Sequence, residues 1–324
     1  SGLSPPSITS NYFPPAITGV TSLLDPIPGN LTAVVTIVGT NFGPVLGSNS
    51  VIGSYYQFGG MLLQLFDSST CGSGTDIWCT DTGATAGTPE AILHTVNPTT
   101  SSMLSLWGHF SSSSYAAQFS GAYQSLEAGT HVFSAAPAGF VRLHVNGVNL
   151  TDISQGPVSV ELGTVGLHEV LIEYLNPTLG SGVDNGMSIS VRAPSDVTTA
   201  VVPSSRWARK IVASSCTVTV AHTSIECSTA TRGTGRDWKW VVDVGQQRSP
   251  VSVSVSNFRF PEISVASTDA PLSTVGGEQV DVYGYGFGEN KLMVSGTYGR
   301  TLAGGPAGMG PGTGYTLSFC QVIG

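Results

Sequence analysis

Three glutamates are the residues of this chain that most resemble a catalytic set. Glu161, Glu169 and Glu173 lie close together in the sequence. Glu169 and Glu173 would share one face of a strand, because side chains alternate along a strand, and glycoside hydrolysis uses paired carboxylates. Other acidic residues are scattered, however, and no G-x-S-x-G motif supplies a serine nucleophile. We therefore expect the three glutamates to be solvated, and we predict no catalytic residues, no cofactor and no enzyme activity.

The cysteines favour disulfides over a metal site. They are Cys71, Cys79, Cys216, Cys227 and Cys320. No pair has the C-x-x-C spacing of zinc and redox sites. The first two bracket a short loop and so do the next two, which predicts two local disulfides and an oxidising compartment. Cys320 is left over, and we expect its partner to lie beyond Gly324 or in another chain. The six histidines lack ligand-like spacing, so no metal is predicted.

Two further pairs of side chains are candidates for glycan or interdomain contacts. Arg142 and His144 alternate with apolar residues and so would lie together on the outer face of one strand. Trp238 and Trp240 would place two indoles on one strand face, and aromatic platforms can bind sugars. The alternative for both tryptophans is a position in a core or between domains.

The composition indicates a surface that holds water through hydroxyls or attached sugars rather than through ions. Charged residues make up only 10% of the chain and the formal net charge is −8, which argues against nucleic-acid partners. Asn30 and Asn149 each begin an N-x-T acceptor site for N-glycosylation. No apolar run is long enough to span a bilayer, so we predict no membrane insertion by this segment. The chain begins with Ser1, and we expect a processed or cropped piece of a larger, secreted precursor.

After the first 14 residues, nearly every segment has the residue pattern of a β-strand. The run 31–38 is rich in β-branched residues, and Val141, Leu143 and Val145 alternate with polar residues. Asn-Gly and Pro-Gly turns separate such runs. Short alternating segments between turns predict an all-β sandwich or barrel.

One pattern occurs twice, as VTIVGTNFG near the start of the chain and as VDVYGYGFG near its end. Each copy is preceded by a proline at a matched distance, 24 residues from Pro15 to Gly39 and 23 residues from Pro261 to Gly284. Alternating apolar residues would face a sandwich core, and glycine allows backbone angles that other residues avoid. We expect the intervening phenylalanine, Phe42 or Phe287, to close the end of the sandwich.

This repeated pattern resembles the first half of the TIG/IPT immunoglobulin-like family, which is found in extracellular adhesive proteins. The second half of that family's pattern, a strand with a cysteine, a second cysteine and a Gly-x-Gly turn, is similar to Cys216–Cys227 followed by Gly233 and Gly235. The resemblance therefore implies one TIG/IPT domain split into two parts, with a second, incomplete copy after it. Cys320 would match Cys216 in that second copy.

The residues between the two halves resemble a protective-antigen domain of the fourteen-kilodalton type. The resemblance rests on Leu106-Trp-Gly108, on the run from 128 to 147 and on Val170-Leu-Ile-Glu-Tyr174. Some members of that family bind sugars through calcium held by adjacent aspartates. The corresponding stretch here, 134–139, contains no acidic residue, so we expect no calcium site. The two modules occur together in fibrocystin-like cell-surface proteins.

The sequence thus predicts an arm and four following segments. They are a Ser/Pro-rich extended arm at 1–14, a TIG/IPT first half at 15–57, an inserted protective-antigen-like domain at 58–195, a TIG/IPT second half at 196–260 and an incomplete second TIG/IPT domain at 261–324. We expect an extracellular structural glycoprotein that forms part of a filament, surface coat or adhesive stalk. Its expected partners are further copies or neighbouring repeats, together with covalent glycans. The alternatives are a carbohydrate-binding adhesin that uses the protective-antigen-like domain and a receptor ectodomain.

Overall fold

The computed structural model describes β-strands and one short 3-10 turn. It describes residues 13–21, 33–45, 51–67, 91–96, 98, 115–136, 140–153, 155–176, 187–229, 235–258, 260, 262–267, 280–285, 297–299 and 314–316. The strand pairs in these segments are antiparallel, which confirms the all-β class. Among the described residues, no helix has the length and apolar character needed to cross a membrane.

The strands are numbered in chain order. They are β1 Ala16–Val20, β2 Val34–Thr40, β3 Val51–Phe58, β4 Met61–Asp67, β5 Ala91–Val96, β6 Tyr115–Ser125, β7 Gly129–Ala136, β8 Phe140–Val145, β9 Val148–Asp152, β10 Val158–Leu162, β11 Gly166–Asn176, β12 Ser188–Arg192, β13 Ala200–Val201, β14 Trp207–Val212, β15 Ser215–Val220, β16 Ser224–Ser228, β17 Trp238–Val244, β18 Gln247–Arg248, β19 Val255–Ser256, β20 Glu262–Ser267, β21 Asp281–Tyr285, β22 Thr297–Gly299 and β23 Gly314–Thr316. The 3-10 turn is Ser204–Arg206.

The chain divides into two compact units. The described residues of Ser1–Tyr56, Ile211–Thr231 and Gly235–Phe258 belong to unit 1, and unit 2 is formed mainly by Gln57–Lys210. The main segment of unit 2 therefore lies, in sequence, between two parts of unit 1.

Unit 1 is assembled from strands that are far apart in the sequence. Strand β2 pairs with β1 on one side and with β16 on the other, where Ile37 lies opposite Ile225. Strand β3 pairs with β17 along six residues. The side chains that alternate inward form one core, which includes Val35, Ile37, Phe42, Val218, Trp238 and Trp240.

Two glycines of unit 1 sit where a side chain would collide with a neighbour. A Cβ on Gly39 would lie 2.0 Å from the carbonyl oxygen of Ala16 and 2.4 Å from the Phe42 ring. Phe42 is buried, so this glycine lets the phenylalanine of the repeated motif pack over β2. A Cβ on Gly53 would lie 2.6 Å from Cys216 Sγ, so glycine there makes room for the sulfur atoms.

Unit 2 has two sheets with a shared apolar core. One sheet contains β4, β6, β11, β8 and β9, and the other has the order β10-β7-β12-β13. Strand β11 pairs with β6 over eleven residues and with β8 over six. Leu143, Phe119 and Ile172 from the first sheet and Phe133 and Ile189 from the second are fully buried in this core.

The two copies of the repeated motif form the same hairpin. In the first copy Ile17 pairs with Gly39, and the β1–β2 register then shifts at a bulge before Gly19. In the second copy Ile263 pairs with Gly284, and the β20–β21 register shifts at the same place. Similar sequence at matched spacing therefore produces the same pairing and the same irregularity twice.

The environments of the two hairpins differ. Ile37, on the core face of β2, is fully buried by unit 1, whereas Val282, at the equivalent place on β21, is 37% exposed. Among the described residues, strand β21 pairs with β20 alone. Every residue of β20 is exposed, including Ile263 and Val265. This hairpin therefore exposes the face that corresponds to a core face in unit 1. An isolated pair of strands is only marginally stable in water.

Candidate functional site

A buried carboxylate lies on the face of the β6–β11–β8 sheet that points away from the core of unit 2. Glu173 of β11 lies opposite Arg142 of β8 in the strand register. Arg142 Nε and His144 Nε2 both lie within hydrogen-bond distance of Glu173 Oε2, at 3.1 and 3.0 Å. The Glu173 side chain is only 5% exposed. The expectation that Glu173 is solvated is therefore wrong, because the guanidinium and the imidazole replace water around it.

The structure brings the predicted pair Arg142 and His144 together on this carboxylate. Both side chains are partly buried rather than projecting freely into solvent. Since a carboxylate accepts hydrogen bonds, His144 Nε2 carries the proton that it donates to Glu173. In the neutral ring, Nδ1 is then an acceptor.

A second ion pair lies on the same face. Glu169 precedes Glu173 by four residues on β11 and so points to the same side, and its Oε1 accepts a hydrogen bond from Lys210 Nζ of β14. The Glu169 side chain is 47% exposed. This glutamate is therefore at the surface, as expected, although it is tied to a lysine that was not singled out from the sequence.

A groove of about 370 Å³ runs beside these two ion pairs. His144, Leu171 and Ser120 form one row across β8, β11 and β6 because they are register partners. These three residues, Gly121 and the Lys210–Glu169 pair line the groove. We call it the unit 2 groove.

Ser125, His168 and Asn146 have the composition of a nucleophile, a base and an orienting amide, but their hydrogen bonds show a structural role. His168 Nε2 lies 2.9 Å from the Thr164 carbonyl oxygen and therefore carries a proton, so it cannot accept one from Ser125 Oγ at 3.1 Å. Nδ1 accepts from Asn146 Nδ2 at 3.2 Å. Ser125 is fully buried, so a substrate could not reach its hydroxyl.

Two titratable groups elsewhere in unit 2 have shifted pKa values. Burial raises the pKa of Tyr123, although the neighbouring Arg206 guanidinium opposes this change. Hydrogen bonds from the hydroxyl and backbone N–H of Ser195 lower the pKa of Glu127. Neither residue lines the unit 2 groove.

Trp238 and Trp240 lie in the core of unit 1, which is the alternative stated for them above. Both are fully buried. Tyr55 stacks on Trp240 with a centroid separation of 4.7 Å, and Trp240 Nε1 donates to Ser256 Oγ at 3.0 Å. Because neither indole reaches the surface, the glycan contact suggested for them does not exist in this structure.

Cys216 and Cys227 form a disulfide between the paired strands β15 and β16. Cys71, Cys79, Cys320 and Asn30 lie outside the described residues. Asn149 lies on β9 opposite His144. Among the described residues, no group of three or more His, Cys, Asp or Glu side chains is arranged to hold a metal ion.

Comparisons with known proteins do not assign the chain to a family. No protein-family model matches the chain, and no curated protein matches it significantly in sequence.

Several solved structures resemble part of the chain. An anti-sigma factor domain-containing protein from Clostridium clariflavum is 15% identical over 46% of this chain, with a TM-score of 0.34, and the chain spans 47% of that protein, about half of its length. The PA14 domain of the antifreeze protein MpAFP is 15% identical over 47% of this chain and 91% of its own, with a TM-score of 0.35. The A domain of epithelial adhesin 6 from Candida glabrata, crystallised with Galβ1-3GlcNAc, is 11% identical over 52% of this chain and 93% of its own, with a TM-score of 0.34. Similarity at this level does not support an inference about function.

Proposed function

We propose that this chain is a segment of an extracellular structural glycoprotein that associates with further copies of itself in a filament, surface coat or adhesive stalk. In this proposal unit 1 is a TIG/IPT-type domain, unit 2 is a protective-antigen-type domain inserted into it, and β20–β21 begin a second TIG/IPT-type domain. The repeated hairpin is the observation that carries the proposal.

The register and bulge of the β20–β21 hairpin match those of β1–β2, while the face that corresponds to the core face of β2 is exposed. Repeated modules that bury their apolar faces against neighbours are typical of extended assemblies. The Cys216–Cys227 disulfide is compatible with an extracellular location.

Self-association through this hairpin can be tested with two neighbouring substitutions. Val282 lies on the face equivalent to buried Ile37, whereas Tyr283 is 58% exposed and equivalent to Val38, which is itself 47% exposed. Val282→Asp places a charge on the face that would be covered, and Tyr283→Asp places the same charge on the opposite face. The mass of the secreted chain would be measured by light scattering across a range of concentrations.

We expect the wild-type chain and Tyr283→Asp to form larger species as concentration rises, and Val282→Asp to remain monomeric. A wild-type chain that stays monomeric throughout, or equal association by all three proteins, would count against assembly through this face. Treatment with a peptide N-glycosidase would test the glycoprotein part independently, since glycosylation predicts a loss of mass.

A carbohydrate-binding adhesin is the second candidate function. It is favoured by the unit 2 groove, whose lining combines apolar residues with hydrogen-bond donors and acceptors. Such a mixture is typical of small-ligand sites.

A further inference from the structure

We infer that the unit 2 groove binds an uncharged saccharide, and that Glu169, Ser120 and His144 supply its polar contacts. This inference rests on the second candidate function and assigns it a site and a ligand class. It does not depend on whether the chain also self-associates.

The charges beside the groove are balanced in pairs. Lys210 is paired with Glu169, and Arg142 is paired with Glu173. The formal charges of these four side chains sum to zero. The exposed Glu169 carboxylate would repel an anionic ligand, and the Lys210 ammonium would repel a cationic one. A ligand without charge can bind without breaking either pair, so its desolvation cost is the lowest of the three.

The groove lining matches the chemistry of a sugar ring. Ser120 Oγ can both donate and accept hydrogen bonds, Glu169 accepts and Lys210 donates, and sugar hydroxyls need partners of both kinds. Leu171 and Gly121 provide apolar surface between these groups, against which the C–H face of a sugar can pack. A volume of about 370 Å³ falls within the usual range of small-ligand pockets.

The Arg142–Glu173 pair acts as a positioning element for His144. Glu173 is buried and accepts a hydrogen bond from His144 Nε2 at 3.0 Å, while Arg142 Nε donates to the same carboxylate oxygen at 3.1 Å. The imidazole is therefore held in one orientation, with Nδ1 as its remaining polar atom. Nδ1 is therefore the atom of His144 that is left to contact the ligand.

The test uses the whole secreted chain on a printed array of neutral, sialylated and sulfated oligosaccharides. The strongest neutral oligosaccharide would then be titrated by calorimetry into the wild-type chain, Glu169→Gln, Ser120→Phe and Glu161→Gln. Glu161 lies on β10 and accepts a hydrogen bond from Thr130 Oγ1. Because Glu161 does not line the groove, Glu161→Gln is a control that makes the same change in charge as Glu169→Gln.

We expect wild type and Glu161→Gln to bind neutral oligosaccharides equally. Glu169→Gln should weaken binding by about tenfold, because a charge-assisted hydrogen bond is lost. It should also raise the signal of acidic oligosaccharides, since Lys210 is no longer neutralised. Ser120→Phe should abolish binding by filling the groove, and thermal unfolding would verify that each variant is folded.

The outcomes separate the site from the function. Binding of neutral oligosaccharides that Glu169→Gln and Ser120→Phe leave unchanged would overturn the assignment to this groove while the adhesin function stands. A wild-type chain that binds only acidic oligosaccharides would overturn the ligand class. A wild-type chain that binds nothing on the array would overturn both the inference and the second candidate function.

Discussion

At the scale of single residues, Trp240 has one of the most tightly defined environments in unit 1. Its indole is fully buried, stacks on Tyr55 and donates to Ser256 Oγ, which in turn donates to the Thr21 carbonyl oxygen at 2.8 Å. The side chain thus links strands from both parts of unit 1 through packing and one hydrogen-bond chain.

We expect Trp240→Ala to lower the free energy of unfolding by about 3–5 kcal/mol, because it removes a large buried side chain and leaves a cavity. Trp240→Phe should cost less, since it keeps a ring against Tyr55 but loses the Nε1–H donor. Urea denaturation followed by circular dichroism would measure both. Equal losses for the two variants would show that the hydrogen bond, rather than packing volume, dominates.

The lowered pKa of Glu127 predicts that its contribution to the free energy of unfolding depends on pH. Ser195 donates two hydrogen bonds to its carboxylate and lowers its pKa in the folded state. A lowered folded pKa stabilises the fold above the ordinary carboxyl pKa of about 4.3, and that contribution disappears as pH falls through the folded pKa. Glu127→Gln should therefore be less stable than wild type at neutral pH and should approach it in acid.

Urea denaturation at neutral and acidic pH would check this expectation. Ser195→Ala keeps the backbone donor and loses only the hydroxyl donor, so it should reproduce part of the effect. A constant difference between wild type and Glu127→Gln across this pH range would contradict a role for the carboxylate charge.

At the scale of elements, the disulfide joins two strands that are already paired. Cys216 lies opposite Cys227 in the β15–β16 register, and the closed loop has a sequence separation of 11. In the chain-entropy model a loop of that length stabilises the fold by about 3 kcal/mol.

We expect the double substitution Cys216→Ala and Cys227→Ala to lower the stability of unit 1 by up to about this amount, with an added cost from the lost packing against Gly53. Thermal unfolding with and without a reducing agent would measure it. The reduced wild-type chain should behave like the double variant, and insensitivity of the wild type to reduction would contradict the prediction.

Individual strands could be predicted from the sequence, but the groove could not. Val141, Leu143 and Val145 alternate with polar residues because one face of β8 is buried, and that pattern is local. The row of His144, Leu171 and Ser120 depends on the register of three strands. A shift of one residue would turn its members to the opposite face, and long-range pairing sets that register.

The environment of Glu173 was also outside the reach of sequence patterns. A glutamate at an outward position usually faces water, and nothing local to β11 marks this one as buried. The useful signal was the presence of Arg142 and His144 on another strand, which becomes informative only when β8 and β11 are known to pair. The two tryptophans were ambiguous for a similar reason, since period-two spacing fixes a shared face without saying which side it is on.

At the scale of the whole molecule, the chain leaves unit 1 within β3, after Tyr56, and returns to it within β14, at Ile211. The backbone N–H of Ala213 donates to the Gly53 carbonyl oxygen at 2.9 Å, so the departing and returning segments lie side by side. Unit 1 has its own core and its own disulfide.

Replacement of residues 57–210 by a short Gly/Ser linker should therefore leave unit 1 able to fold. We expect the shortened chain to form the Cys216–Cys227 disulfide and to unfold cooperatively in urea. Peptide mass spectrometry of the unreduced protein would identify the disulfide. Free thiols and a non-cooperative transition would show instead that unit 1 depends on the residues that were removed.

The distance in sequence between the two parts of unit 1 has a consequence for the order of events during synthesis. The backbone N–H of Ala33 bonds to Thr229 Oγ1, a residue 196 positions later. At about 5–20 residues per second, β2 would leave the ribosome roughly 10–40 s before β16 is available. Throughout that interval, the first strands of unit 1 have an unpaired edge while the main segment of unit 2 is being synthesised. A chaperone that covers β2 during this delay would protect the chain at the stage when it is most prone to aggregate.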